Sequence, residues 1–232
     1  LDSATFGLRK NESRGFGYDV QYTVARSRDN SPSISGGGGG GGGGTGNVAQ
    51  DDQNIDAEWA RSSFIQRDRL QLQAQYRLPF GPQERWLRNA GSFAGVAGGW
   101  RLNANFSANS GSPQSVTVSG ASRDIASGIN GALRADYNGE AVAIADPTID
   151  QWFNTAAFTV PVAGAFGSSP RNIITGPGSK NLNMTFNRTV QMRGNRSVDI
   201  NMQVNNILNL ANYQGVDTNV NSPTFGQIRS VN

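Results

Sequence analysis

Acidic side chains gather at Asp51, Asp52, Asp56 and Glu58, and again at Asp146 and Asp150. Carboxylates grouped in this way could hold calcium or divide acid and base roles between them. Neither spacing follows that of an EF-hand calcium loop, so both groups read as solvated loop charge. Serine is plentiful, but no Gly-x-Ser-x-Gly turn is present and the chain has no histidine to serve as its base. Cysteine is absent too, which removes thiolate nucleophiles, disulfides and Cys-ligated metals. The expectation is a protein that is not an enzyme and uses no cofactor or metal. What remains is aromatic. Trp59, and Trp152-Phe153 followed by Asn154, lie in long polar stretches. Indole and phenyl faces there could stack on a sugar or peptide, with the amide as a polar contact. Trp59, Trp152, Phe153 and Asn154 are therefore the candidate ligand contacts. The same rings could instead anchor the loops to a rim.

The elements that must hold these loops are strands. From Trp100 to Asn109 the chain alternates strictly. Trp100, Leu102, Ala104, Phe106 and Ala108 fall on one side, and Arg101, Asn103, Asn105, Ser107 and Asn109 on the other. A period of two means a β-strand with one apolar and one polar face. The run has the length of a membrane-crossing strand, about 9–11 residues. The same plan appears in Phe16 to Arg26, Arg67 to Phe80, Leu182 to Met192 and Val198 to Val204, with a shorter candidate at Ser3 to Lys10. Asn11 to Gly15 and Arg193-Gly194-Asn195 have turn chemistry, and a helical turn is expected near Trp86-Leu87. The tail beyond residue 209 reads as loop and the start of another strand.

Connections alternate between short and long. The long ones are about 27–63, which contains an unbroken glycine run from Gly36 to Gly44, and about 110–180. Glycine there has high backbone entropy and no side chain to bury, so the run is expected to be flexible. Residues 110–180 exceed an ordinary loop and should carry local structure. One side of turns and one side of large loops is the asymmetry of outer-membrane barrels. Phe16, Tyr18, Phe80, Trp86 and Trp100 cluster at the short-turn ends, as an interfacial aromatic girdle would. Arg188 is the dissenting residue: it falls on the apolar side, between Phe186 and Val190. At the bilayer midplane that would cost about 2–4 kcal/mol.

Composition agrees with strands that have one wet face. The chain is 36% hydrophobic and 16% charged, sparse in apolar residues for a soluble core of 232 residues. No apolar run is long enough for a transmembrane helix, a test that barrel strands escape. The net charge is +3, and among the 20 basic residues only Lys10 and Lys180 are lysine. They are scattered, so no nucleic-acid partner is expected. No signal peptide is visible before Leu1. The start is accordingly expected to be a processed end or a cut through a longer protein.

A series of short motifs carries a resemblance. It runs Gln66-Arg67-Asp68-Arg69-Leu70, Leu78-Pro79-Phe80-Gly81, Gly98-Gly99-Trp100 and Ser110-Gly111-Ser112-Pro113. It continues through Trp152-Phe153-Asn154-Thr155-Ala156-Ala157-Phe158, Phe166-Gly167, Arg171-Asn172 and Gly176-Pro177-Gly178. It ends with Asn205-Asn206-Ile207-Leu208-Asn209, Asn212-Tyr213 and Pro223-Thr224-Phe225-Gly226-Gln227-Ile228. In order and spacing the series resembles the C-terminal barrel segment of TonB-dependent outer-membrane receptors. The group it is most similar to is Oar-like, with a carboxypeptidase-regulatory-like domain at the N-terminus. The resemblance implies a Gram-negative outer membrane, a plugged barrel of about 22 strands and energy from a periplasmic coupling protein.

The fold expected is thus all-β: an antiparallel meander of about six strands from an outer-membrane β-barrel, with two long extracellular loops. Residues 1–232 would be part of one receptor barrel, with the plug and the final strand not present. Its partners would be outer-membrane lipid, the energy-coupling protein through an absent N-terminal region, and an unknown extracellular solute that is bound and imported. The alternative is a structural or adhesive cell-surface protein that self-associates through its strand edges. One expectation is directly measurable. Shortening Gly36–Gly44 to three residues should move stability by under about 1 kcal/mol, because loop-closure entropy grows only logarithmically with length. A thermal melt of the purified variant checks this.

Overall fold

Six stretches with period-two patterning become the six long strands of one sheet. The computed structural model describes residues 1–30, 49–51, 53–81, 84–87, 89, 97–119, 133–192, 194 and 196–232. The Gly36–Gly44 run, with Arg193 and Asn195 of the expected turn, lies outside the described residues. The long strands are β1 (Asp2–Ser13), β2 (Phe16–Arg26), β3 (Asp68–Arg77), β4 (Arg101–Asn109), β5 (Ser179–Met192) and β6 (Arg196–Val204). They pair in chain order, β1 to β6, and every pairing is antiparallel.

Register follows the hydrophobic pattern, because a one-residue slip would send every apolar side chain to the opposite face. Leu8, Val20, Leu72, Phe106 and Leu182 stand directly opposite one another across five strands. A second apolar row on the same face joins Phe16, Tyr76, Leu102, Phe186 and Met202. Between these rows, Gln73, Asn105 and Asn183 make a polar row on the other side. Leu70, Leu72, Tyr76, Leu102, Phe106, Leu182, Phe186, Ile200 and Met202 therefore share one surface, as their parity predicts.

The β1–β2 hairpin turns more tightly than the sequence implies. Strand β1 continues through Asn11 and Glu12, with an irregular register between Lys10 and Ser13. The turn is confined to Arg14 and Gly15, at φ 53° and 80°. Two consecutive positive φ values are what a two-residue hairpin of matching twist requires. The helical turn expected at Trp86-Leu87 is replaced by a bridge. Trp86 N–H donates to Pro79 O and Gly81 N–H to Trp86 O, each at 3.0 Å, and Leu87 has φ 63°. Stacking of Trp86 edge-on against Phe80, with ring centroids 5.9 Å apart, favours this closed arrangement over a helix.

The apolar side chains of the sheet are not covered by the chain itself: Phe6, Leu8, Ile200 and Met202 are exposed. The buried core lies elsewhere. Residues 110–119 and 133–178, part of the first long connection and the tail form a cap at the long-loop end of the strands. Its core is Val116, Val118, Ala135, Phe153, Ala157, Phe158, Ile174 and Val216. Apart from Ala25, every buried apolar side chain among the described residues belongs to the loops and tail at this end. Short ladders build it, among them Thr117–Val118 with Leu133–Arg134 and Asp136–Tyr137 with Phe158–Thr159. The tail strand Ile228–Val231 pairs back onto Tyr213–Val216, which places Val216 in the cap core.

Backbones approach so closely in the cap that some positions accept only glycine, most severely Gly111 and Gly167. A Cβ on Gly167 would sit 1.9 Å from Arg134 O, and one on Gly111 would sit 1.6 Å from Gly176 O. Neither clash can be relieved by turning a side chain, since both obstacles are backbone. Gly167→Ala should therefore cost about 3 kcal/mol or more in cap stability. Gly139→Ala, with φ +90° but nothing within 4 Å, should cost only about 1 kcal/mol. Limited proteolysis of the two variants in detergent reads the difference directly.

Candidate functional site

Two surfaces can do chemistry: the polar wall of the sheet and the cap that stands over it. The wall follows from strand parity. Gln71, Gln73 and Gln75 on β3 face Ser107, Asn105 and Asn103 on β4, and these face Asn181, Asn183 and Thr185 on β5. A concavity of about 560 Å3 opens over this region. Arg9, Lys10, Glu12 and Asp19 also line it, so the wall joins neutral amides and hydroxyls, which both donate and accept, with charged groups of both signs. At the short-turn end Arg77 stands opposite Arg101 on the same face.

The cap is fastened to the first long connection by a buried ion network. Glu58 ends a 3-10 turn, Ile55–Glu58, whose first turn is capped by the Asn54 side chain accepting from Ala57 N–H. Its side chain is 2% exposed. Arg134 donates to Glu58 Oε1 at 2.6 Å, and Arg171 Nε lies 3.8 Å from Oε2. Arg171 also donates to Glu58 O at 3.1 Å and pairs with Asp29. Gln50 completes the set by donating its N–H to Glu58 Oε1 at 3.1 Å and accepting the Arg134 N–H at 2.7 Å. Two carboxylates thus meet two guanidinium groups, and Arg134 Nε donates to Ser169 O at 2.9 Å. Close by, Arg61 Nη2 donates to the carbonyls of Asn172, Ile173 and Ile174 at 2.7–3.2 Å. Burial draws the Arg61 pKa below its ordinary value.

Glu58 corrects the reading of the acidic cluster as solvated loop charge. Asp56, Asp146 and Asp150 are exposed as expected, but Glu58 is an internal anchor. Asp52 lies outside the described residues. Among the described residues no group of three acidic side chains is placed to hold a metal ion.

The four aromatic and amide candidates separate into two kinds. Phe153 is 2% exposed and meets Phe158 and Phe225 edge-on, at centroid distances of 5.9 and 5.3 Å. Trp152 is half-buried and donates its indole N–H to Thr175 O at 2.9 Å. Asn154 caps the 3-10 turn Thr155–Ala157, accepting from Ala156 N–H at 3.2 Å while its amide donates to Ala141 O at 3.1 Å. These three hold the cap together. Trp59, 58% exposed, presents its ring outward. A polar device missed by the sequence reading is Asp217. Burial would raise its pKa. Hydroxyls of Ser222 and Thr224 at 2.6 Å, the Asn219 N–H and the Arg229 charge outweigh burial and hold the pKa below the ordinary value. Its contribution to stability is present above the unfolded pKa and is lost as pH falls through the lower folded value.

Comparison with known proteins decides the setting. Residues 2–232 match the family model described as an outer membrane beta barrel domain. The chain belongs to this family. No curated protein and no solved structure matches it. The protein is accordingly an outer-membrane protein of a Gram-negative bacterium, with the apolar face of its sheet toward lipid.

Membership orients the rest. Barrels of this kind carry short periplasmic turns and long extracellular loops, so the cap stands outside the cell. The belt at the turn end is built from contacts. Phe16 lies 5.8 Å from Tyr18 and 6.1 Å from Tyr76, with Lys10 Nζ 5.3 Å from the Phe16 ring centroid. Arg188 belongs to this belt rather than to the midplane. Its guanidinium lies over the Trp100 ring at 5.8 Å. At interface depth an arginine on the lipid face costs only about 0–1 kcal/mol, and the cation–π contact offsets part of that.

Glu58 could not be found from spacing, since its partner Arg171 is 113 residues away in sequence. Its removal gives a clear expectation. Glu58→Gln leaves Arg134 and Arg171 buried without their shared anion and should destabilise the cap by about 3–5 kcal/mol. Hydrogen exchange across residues 133–175 should rise, while the strands β3 to β5 keep their protection.

Proposed function

We propose that the protein forms the wall and outer mouth of a TonB-dependent receptor, which binds a solute outside the cell and imports it. The observation that carries this reading is the folded extracellular cap above a polar, amide-rich wall. Of the motifs that resemble the receptor family, those from Ser110 onward fall on that cap. Phe153 and Phe158 form its core, Gly111 and Gly167 permit its close approaches, and Arg171-Asn172 joins it to the first loop. A cap this well anchored suits capture of a solute better than a tether, because its rim is fixed before anything binds. Trp59 is the candidate that contacts the solute. Trp152, Phe153 and Asn154 serve by holding the loop in place. An energy-coupling periplasmic protein would act through a region outside this chain.

The rival reading, a self-assembling surface protein, draws on the outer edges of β1 and β6. Among the described residues neither edge is paired with another strand, and open edges template association. The two readings differ in the natural polypeptide. Its intact mass in the outer-membrane fraction should be several times the 24.6 kDa of this chain, and it should cross-link to the coupling protein when energised. A polypeptide of 24.6 kDa that sediments as a homopolymer would establish the rival instead.

A further inference from the structure

At the seam between sheet and cap lies a cleft of about 500 Å3. Four arginines line it: Arg26, Arg28, Arg61 and Arg67, with Asp68 and Ser62. The acid is already engaged. Asp68 Oδ1 accepts from Tyr22 Oη at 2.7 Å, and its Oδ2 lies 3.7 Å from Arg67 Nε. Arg26, Arg28 and Arg61 have no carboxylate at ion-pair distance among the described residues.

The register sharpens the charge problem. In the two-residue ladder of Arg28–Asp29 with Ala60–Arg61, Arg28 stands directly opposite Arg61. Like charges in directly opposed positions repel. Arg61 has no freedom to withdraw, because three carbonyls and Thr175 Oγ1 hold its guanidinium. The chain therefore fixes one cation, sets a second across from it and places two more around the same space. Ser62, 1% exposed, adds a buried hydroxyl with no hydrogen-bond partner among the described residues.

The geometry points to a binding site for a phosphate-type oxyanion in this cleft, held chiefly by Arg28 and Arg61. The Arg28 guanidinium can offer two parallel N–H donors to such a group; Arg61, whose Nε and Nη2 already serve carbonyls and whose Nη1 meets Thr175, adds a fixed positive charge, and a shared anion converts the Arg28–Arg61 repulsion into attraction. Arg26 has the parity of the lipid-facing residues Tyr22 and Val24, four and two residues back along β2. The cleft thus opens where both a lipid headgroup phosphate and a phosphorylated solute can reach it. This site is independent of the transport reading.

The test uses the full natural polypeptide in neutral detergent. Inorganic phosphate should raise its melting temperature over chloride at equal ionic strength. Arg28→Gln should weaken phosphate binding about tenfold or more. Without phosphate the same variant should melt no lower than wild type, since it removes a repulsion. Arg85→Gln, an exposed charge at the opposite end, should change neither. A second arm compares phosphatidylcholine vesicles with and without lipid A. Binding only to lipid A assigns the site to a headgroup, and binding of free phosphate unaffected by lipid A assigns it to a solute. Both outcomes uphold the oxyanion site. Equal melting in phosphate and chloride together with no response to lipid A, or Arg28→Gln binding like wild type, overturns it.

Discussion

Backbone hydrogen bonding across the sheet is the constraint on which everything else depends. In hydrocarbon an unpaired N–H or C=O costs several kcal/mol, so a strand survives only with neighbours that satisfy it. Pairing in turn fixes register, and register fixes which residues face lipid. The rows Leu8-Val20-Leu72-Phe106-Leu182 and Gln73-Asn105-Asn183 are two consequences of the same ladder. Moving one strand by one residue would place amides in lipid and leucines in the wet interior at once.

The cap obeys a different logic. It has what the sheet lacks: a dry core, close backbone approaches and buried ion pairs. The sheet is stabilised by the solvent on its apolar side, and the cap by its own interior. The two are joined where strands end. Asn212 illustrates this: its side chain accepts from Lys180 N–H at 2.7 Å and donates to Asn181 Oδ1 at 3.0 Å. The tail is thereby tied to the first residues of β5. Function is expected at this joint, because a rigid mouth is only useful above a wall that something can pass.

Much of the sheet was legible in the chain. Strict alternation in residues such as Trp100 to Asn109 defines strand, face and length, and the short turns between β1 and β2 and between β5 and β6 make those pairs antiparallel. The cap was legible only as a need for local structure. Its short ladders contain two residues per strand, too few to show a period. The part played by Phe153 was equally hidden. An aromatic beside Trp152 in a polar loop reads as a ligand contact or as an anchor to the rim, and nothing in its spacing points to a dry core.

By itself, then, the amino-acid sequence determined the membrane-facing sheet, since period-two patterning is a local property that each strand carries alone. Only the tertiary structure decided that Glu58 is an anchor while Asp56 is solvent-exposed, and that Gly167 must make room for Arg134. It alone set Arg28 against Arg61. These outcomes depend on segments tens to more than a hundred residues apart being brought together. Burial and charge pairing are properties of that meeting, and no single stretch of chain contains them.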